Sequence, residues 1–371
     1  MRTSPPCSGW ASAVFSDLAA IHRQSLSIFV RLCRLSETPT LPPIVAAIRE
    51  SRRALARLLT RIENNAAAAD LAALYPHGGK AHLIGVTGAP GTGKSSLVNS
   101  MAKAYRAEGK TVSILAVDPT SPFSGGAVLG DRIRMRDLHG DAGVFIRSMA
   151  TRGNLGGIAR TTADMIRALD AAAFDVILIE TVGAGQSEVE IASAAHTTLV
   201  VEAPGLGDDV QAIKAGILEI ADILVVNKAD NPGVESTLRA LRAMLDLGHR
   251  AERIMHHGQL MSVPAAAVVG EDEAWQTPIV QTVATNGTGI GGLLAKIAEH
   301  RAYLRESGVQ TLRERASLNA EISERLRELL LARLIERVGV ARLQALIERA
   351  ILREIDPSSA AALLLAEGVQ E

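Results

Sequence analysis

From His82 onward the chain alternates short apolar runs with longer stretches in which apolar residues recur every three or four positions. The short runs are His82–Thr87, Thr111–Val117, Val144–Arg147, Asp175–Ile179, Thr197–Val201, Ile223–Val226 and Pro278–Val283. Their length and near-continuous Val, Ile and Leu content predict strands buried on both faces. Helical spacing occupies Ser96–Tyr105 and Ala159–Leu169. The alternation predicts an α/β domain: a mostly parallel sheet flanked by helices, with right-handed crossovers and ligands at the carboxyl ends of the strands.

Outside this core the pattern is helical. Ile44, Ile48, Leu55, Leu58, Leu59 and Ile62 recur at helical spacing with arginines between them, predicting a helix that packs on the core or on a partner. Asn64–Gly79 reads as a linker or a short alanine-rich helix ending at Pro76. Beyond His300, Arg and Glu alternate from Leu312 to Arg353 around a stripe of Ile322, Leu326, Leu329, Leu330 and Leu334. One or two long amphipathic helices are expected there, their apolar faces covered by the chain's own core or by a second subunit. Four segments result: a disordered or misassigned extension at 1–40, an N-terminal helical segment at 41–80, the α/β domain at 81–305, and a C-terminal helical arm at 306–371.

The chemistry concentrates just after the predicted strands. Gly88-Ala89-Pro90-Gly91-Thr92-Gly93-Lys94-Ser95 matches G-x-x-x-x-G-K-[ST] in full, between an apolar run and a helix that begins at Ser96. Such a loop curls its N–H groups around phosphate oxygens, and the helix presents its positive dipole end to the anion. Lys94 would reach the β- and γ-phosphates and Ser95 would complete the shell of Mg²⁺. The domain is therefore expected to be a P-loop NTPase, with Gly88 to Ser96 as its phosphate-binding segment.

Asn227-Lys228-Ala229-Asp230 follows the strand Ile223–Val226 and matches the N-K-x-D of guanine-binding NTPases. Asp230 would accept from the guanine N1–H and exocyclic amine, Lys228 would lie along the base, and Asn227 would tie the segment to the phosphate loop. GTP is thus favoured over ATP, with GDP as product. Val283–Gly287, through Ala284, offers a backbone N–H to the guanine oxygen. Asp118 and Asp131 are candidate water-mediated Mg²⁺ partners, since a hard dication at phosphate keeps several waters. Between them Thr120–Gly126, rich in Pro, Ser and Gly, suits a loop ordered by γ-phosphate. Glu180 at a strand tip reaches toward Mg²⁺, Gly183 offers an N–H to γ-phosphate, and Gln186 or Glu188 would orient water. Lys94, Glu180 and Gln186 are the catalytic candidates. No residue is compelling as a base, and phosphoryl transfer depends more on positioning and charge, so a slow intrinsic rate raised by a partner is expected.

Composition narrows the class. Length 371 suits one α/β core with helical additions. A net charge of −1 points to neither nucleic acid nor a membrane surface, and no apolar run has the length of a spanning helix. Two cysteines, Cys7 and Cys33, without C-x-x-C or nearby histidine, fit a reducing compartment. A bacterial cytoplasm is expected, with the mitochondrial matrix as the alternative. Of only seven lysines, Lys94, Lys214 and Lys228 fall in these motifs. Asp208, Gln211 and Lys214, after Pro204-Gly205, share one helical face, where spacing alone favours capping and solvation. Asp137-Leu138-His139-Gly140-Asp141-Ala142 approximates the D-x-H-x-x-G of cobalamin-binding domains but ends in Ala and reads as a chance polar loop; His256-His257 reads as a solvated pair.

Taken together, Gly88–Ser95, Ala116–Gly126 with Leu129–Arg132, Phe145–Gly153, Glu180–Glu188, Pro204–Lys214 and Asn227–Asp230 resemble the MeaB/ArgK-like family of accessory GTPases for methylmalonyl-CoA mutase. The resemblance runs from about Ile44 to Leu365, including Asp356-Pro357. It implies a GTPase that gates adenosylcobalamin loading of methylmalonyl-CoA mutase, or a related acyl-CoA mutase, and protects that enzyme from damaged cofactor. It also implies a homodimer held by the C-terminal helices, a third switch at Asp208, Gln211 and Lys214, and added weight for Asp118, Asp131 and Glu180 around Mg²⁺. The rival readings are a metal-insertion GTPase, which would need His- or Cys-rich ligand clusters, and a nucleotide sensor that binds its partner without hydrolysis.

Overall fold

The computed structural model describes residues 41–118, 135–138, 140–150, 155–181, 194–205, 220–248 and 274–369. Seven strands form one parallel sheet: β1 His82–Thr87, β2 Val112–Asp118, β3 Val144–Ala150, β4 Val176–Thr181, β5 Thr197–Glu202, β6 Ile223–Val226 and β7 Ile279–Gln281. Their order is β3-β2-β4-β1-β5-β6-β7. The register sets Val86 of β1 opposite Glu180 of β4 and opposite Leu199 of β5. The strand that carries the phosphate loop is thereby central, with the Glu180 strand beside it.

Period-two alternation divides the strand side chains between two cores. Ile84, Val86, Ile114, Leu178, Leu199 and Val225 face Leu97, Val98 and Met101 of α4 (Lys94–Ala107) and Leu293 and Ile297 of α7 (Ile290–Glu306). Leu115, Val117, Ile177 and Ile179 face the other way, onto α5 (Leu155–Ala171) and the N-terminal helices. A smaller group, Val200, Leu224 and Val226, packs on Leu238 and Leu241 of α6 (Val234–Gly248).

The N-terminal pattern, expected as a single helix, is two: α1 (Pro43–Glu50) and α2 (Arg52–Glu63). Ser51 separates them in an extended conformation, and its Oγ accepts from the Ala54 N–H at 3.3 Å, capping α2. The local hydroxyl cap outcompetes helix continuation there. Both helices keep the predicted apolar positions buried: Ile48, Leu55, Leu58, Leu59 and Ile62. Asn64–Gly79 contains α3 (Ala68–Leu74), ended by a 3₁₀ turn at Tyr75–His77 that includes Pro76.

The span Leu312–Arg353, expected as one or two helices, holds two, α8 (Val309–Val338) and α9 (Val340–Ile351), and a further helix, α10 (Pro357–Val369), follows beyond it. Gly339, at φ +90°, breaks the run between α8 and α9. With 30 residues, α8 is about 45 Å long. Its polar residues bind the α/β domain: Glu321 and Arg325 pair with Arg167 and Asp164, and Glu328 pairs with Arg160, all three partners on α5. Of the predicted stripe, Ile322, Leu326, Leu329 and Leu330 are left uncovered, with Ile322 at 63% and Leu329 at 60% exposure, whereas Leu334 is half-buried beside Gly368 of α10.

A buried polar chain anchors the start of α8 under the sheet. Arg313 NH2 lies 3.0 Å from Asp222 Oδ1, His300 Nε2 lies 3.3 Å from the same oxygen, and Thr197 Oγ1 stands 3.0 Å from both His300 Nδ1 and His82 Nε2. Burial alone would raise the Asp222 pKa, but the His300 hydrogen bond and the Arg313 charge outweigh it and hold the carboxyl below its usual range. Burial, followed by the charge of Arg301, pushes His82 down to about 2. His196, stacked on His82, is lowered chiefly by burial.

These imidazoles give a pH prediction. Below their ordinary value of about 6.5 the unfolded chain takes up protons that the folded one refuses, so stability is full above that pH and falls on acidification. The expected loss is up to about 1.4 kcal/mol per pH unit per imidazole. Urea unfolding between pH 6.5 and 4.5 should show it, and His82→Gln should flatten the slope by roughly one proton. An unchanged slope in that variant would refute the assignment.

Candidate functional site

The phosphate loop joins the carboxyl end of β1 to α4. Two of its glycines are required by close approach: a Cβ at Gly88, where φ is +138°, would fall 2.1 Å from the Val201 carbonyl oxygen, and at Gly93, where φ is +91°, 2.5 Å from Asn227 Nδ2. Lys94, the first residue of α4, donates from Nζ to the carbonyls of Gly88 at 2.7 Å and Ala89 at 3.0 Å, so the ammonium curls over the loop. Thr92 Oγ1 donates to the Ala89 carbonyl at 2.9 Å and tightens the turn. Ala89, Pro90, Gly91 and Ser96 face solvent, whereas Thr92, Lys94 and Ser95 are buried.

Ser95 Oγ donates to Glu180 Oε1 at 2.5 Å. The contact joins the first turn of α4 to the tip of β4, where Glu180 is 2% exposed. One residue on, Thr181 Oγ1 donates to Thr87 Oγ1 at 3.0 Å, linking the tips of β4 and β1. A hydroxyl and a carboxylate at one end of a phosphate loop are oxygen donors of the class that hard dications prefer. Both residues fit a Mg²⁺ that completes its shell with phosphate oxygens and water.

Asn227 is the crossing point of three loops. Its Nδ2 donates to the Thr92 carbonyl at 2.9 Å, while its Oδ1 accepts from the Ala284 N–H at 3.1 Å and from Thr282 Oγ1 at 3.2 Å. Its own N–H donates to the Glu202 carbonyl at 2.8 Å. Lys228, with φ +55°, directs Nζ to the Gly91 carbonyl at 2.7 Å. Asp230 sits exposed in the following turn. Ala284 was expected to turn its N–H to a guanine oxygen; in this structure that N–H is held by Asn227, and the Ala284 carbonyl accepts from Ser100 Oγ at 2.5 Å.

The candidates from Gly88 to Ser96 therefore converge with Glu180, Asn227, Lys228, Asp230 and Ala284 at the carboxyl ends of β1, β4, β6 and β7. Asp118 is the last residue of β2. Asp131, Gly183, Gln186, Asp208, Gln211 and Lys214 lie outside the described residues. Thr282 and Ser100 were missed in the sequence. A hydroxyl just before Val283-Ala284, at the end of an apolar run, was the available signal for Thr282; Ser100, one polar residue among several on α4, gave none.

With this geometry in place, comparison with known proteins decides the family. The family model described as methylmalonyl Co-A mutase-associated GTPase MeaB matches residues 55–339. The chain belongs to the MeaB/ArgK-like family of GTPases. It is 45% identical over 318 residues to a Pyrococcus abyssi protein whose name proposes a GTPase, covering 85% of this chain and 93% of that one. The mouse protein named methylmalonic aciduria type A homolog, mitochondrial, is 33% identical over 284 residues, covering 76% of this chain and 64% of its own length. A crystal structure titled LAO/AO transport system kinase superposes with a TM-score of 0.63 at 23% identity, covering 89% of this chain and 98% of that one, and supports the fold alone. The MeaB-type chain is thus a P-loop GTP hydrolase that binds GTP and GDP. Among its described residues no helix is long and apolar enough to cross a membrane.

In this MeaB-family chain, Asn227→Ala should be costly. It leaves the Thr92 carbonyl, the Ala284 N–H and Thr282 Oγ1 without their buried partner, so a loss of about 3 kcal/mol is expected in urea unfolding. Nucleotide affinity should fall with it. Wild-type stability in the variant would show that the three loops are held independently.

Proposed function

We propose that this GTPase gates the loading of adenosylcobalamin into methylmalonyl-CoA mutase, or a related acyl-CoA mutase, and protects that enzyme from damaged cofactor. The observation that carries the reading is the joining of phosphate loop and guanine motif through Asn227, in a chain of the mutase-associated family. The family is described as associated with methylmalonyl-CoA mutase, and the mouse relative is named for methylmalonic aciduria; both support the mutase as partner.

In the proposed cycle the N–H groups of the Gly88–Gly93 loop and the first turn of α4 hold the phosphates. Lys94 leaves the Gly88 and Ala89 carbonyls for the β- and γ-oxygens. Ser95 and Glu180, now joined by a hydrogen bond, would hold a Mg²⁺, with Asp118 and Asp131 as its more distant carboxylates; the ion would supply charge neutralisation at the phosphates. Asp230 accepts from the guanine edge, and Lys228 covers the base. Glu180 is the penultimate residue of β4, close to the segment carrying Gly183 and Gln186, which we assign to γ-phosphate sensing and water orientation. Asp208, Gln211 and Lys214 form the segment that answers to the mutase. The uncovered stripe of α8 supports a homodimer held by the C-terminal arm.

The deciding experiment is steady-state GTP hydrolysis by the purified protein, alone and with methylmalonyl-CoA mutase from the same source. A slow basal rate that rises with the mutase is expected. GTP-specific turnover that ignores the mutase would keep the GTPase and remove this partner. Lys94→Ala should abolish turnover and weaken GTP binding by at least about tenfold in a fluorescent-nucleotide titration. Lys214→Ala should retain basal turnover while losing stimulation; full stimulation would sink the third-switch role.

A further inference from the structure

The N-terminal helices, from the last turn of α1 to the end of α2, hold an arginine concentration that the nucleotide site does not use. Between Arg49 and Ile62 there are five arginines, Arg49, Arg52, Arg53, Arg57 and Arg61, against the single acid Glu50. Two of them are structural. Arg49 Nε donates to the Ala171 carbonyl at 2.8 Å, and Arg52 donates to the Asp141 and Ala142 carbonyls.

The other three differ. Arg53, Arg57 and Arg61 stand one turn apart on the exposed side of α2, opposite the buried Leu55, Leu58, Leu59 and Ile62. Arg61 pairs with Asp70 at 2.8 Å, but Arg53 and Arg57 have no carboxylate partner among the described residues. On α8, by comparison, Arg313, Arg325 and Arg327 each meet an acid. Two successive like-charge pairs at i, i+4 instead repel along α2 and cost it stability. Arg147, from the edge strand β3, adds a fourth cation beside the row. It binds Glu63 and Thr60 Oγ1, and its buried Nε has no hydrogen-bond partner among the described residues. Arg53, Ala56, Arg57, Thr60, Arg61 and Arg147 line a groove of about 470 Å³.

We propose that this groove docks an acidic helical segment of a partner protein. The row spans about 12 Å along α2. Carboxylates one turn apart on a second helix have the same spacing, and each guanidinium fork can take one of them in a bidentate pair. A small phosphorylated ligand would call for an enclosed, converging pocket, whereas this groove runs along the helix surface. Ala56 and the Thr60 methyl supply a shallow apolar floor between the charges.

The test uses the full chain with GDP at low salt and two fluorescein-labelled, helix-forming peptides of identical composition. One carries Glu at i, i+4 and i+8 along a single face; its isomer spreads the same residues around the helix. Anisotropy should show the aligned peptide binding about tenfold tighter than its isomer, and Arg53→Gln/Arg57→Gln should erase that preference. Arg53→Glu/Arg57→Glu should abolish binding. Both variants should keep basal GTP turnover, and Arg53→Gln/Arg57→Gln should keep an unfolding midpoint at or above that of the wild type, because its like-charge pairs are gone; a purely structural role would lower the midpoint. Equal binding of the two isomers, or undiminished binding by the variants, overturns the proposal. So does saturable binding of tripolyphosphate at the same arginines without discrimination between the peptides, which would mark a small-anion site.

Discussion

The site depends on one side chain amide. Asn227 gives a hydrogen to the phosphate loop and takes two from the segment after β7, so three loops with separate places in the sequence share a single buried hub. Its dimensions are fixed from both sides. Gly93 must lack a Cβ because Asn227 Nδ2 occupies that space, and Lys228 must adopt a left-handed backbone to bring Nζ back over Gly91. A buried amide with its donor and acceptor both used is rigid in a way that an apolar contact is not. The phosphate loop, the start of the Asn227–Asp230 segment and the segment after β7 are thereby held at a set separation.

The second constraint lies across the sheet, between Ser95 and Glu180. Hydroxyl and carboxylate hold each other in the position that phosphate-bound Mg²⁺ would take over. Lys94 is likewise engaged with loop carbonyls. In the proposed cycle, binding would exchange internal partners for ligand partners, so the desolvation cost of a bare buried lysine or carboxylate would not be met in full. Glu180 is the penultimate residue of β4, so the proposed exchange would take place at the carboxyl end of that strand. Upstream of β4 lies α5, whose Arg160, Asp164 and Arg167 hold the arm helix α8. One strand thus has the metal candidate at its tip and the arm's anchor at its base.

Much of this was legible before any coordinates. The seven apolar runs became the seven strands, because a parallel strand covered on both faces needs an unbroken apolar run and little else in the chain supplies one. Motifs placed at strand ends followed directly. Less legible were events decided by competition between nearly equal local choices. The apolar period runs straight through Ser51, yet one hydroxyl cap splits that helix, and Gly339 ends α8 within an otherwise continuous arm pattern. Least legible were pairings at long sequence separation. Nothing in spacing assigns Arg313 to Asp222, or Ala284 to Asn227, since each partner alone looks like an ordinary surface or turn residue.

The arm inverts the usual arrangement of an amphipathic helix. Charged residues of α8 face inward to α5 and Asp222, while Ile322, Leu326, Leu329 and Leu330 face out. Ion pairs that remain partly exposed contribute little net stability, so they do not explain why a helix of this length should hold its polar side against the domain. They do fix its register and direction, since each pair has one partner at one place along α5. An apolar stripe aimed in a fixed direction is worth that specification only if something meets it, and a second arm carrying the same stripe meets it by symmetry.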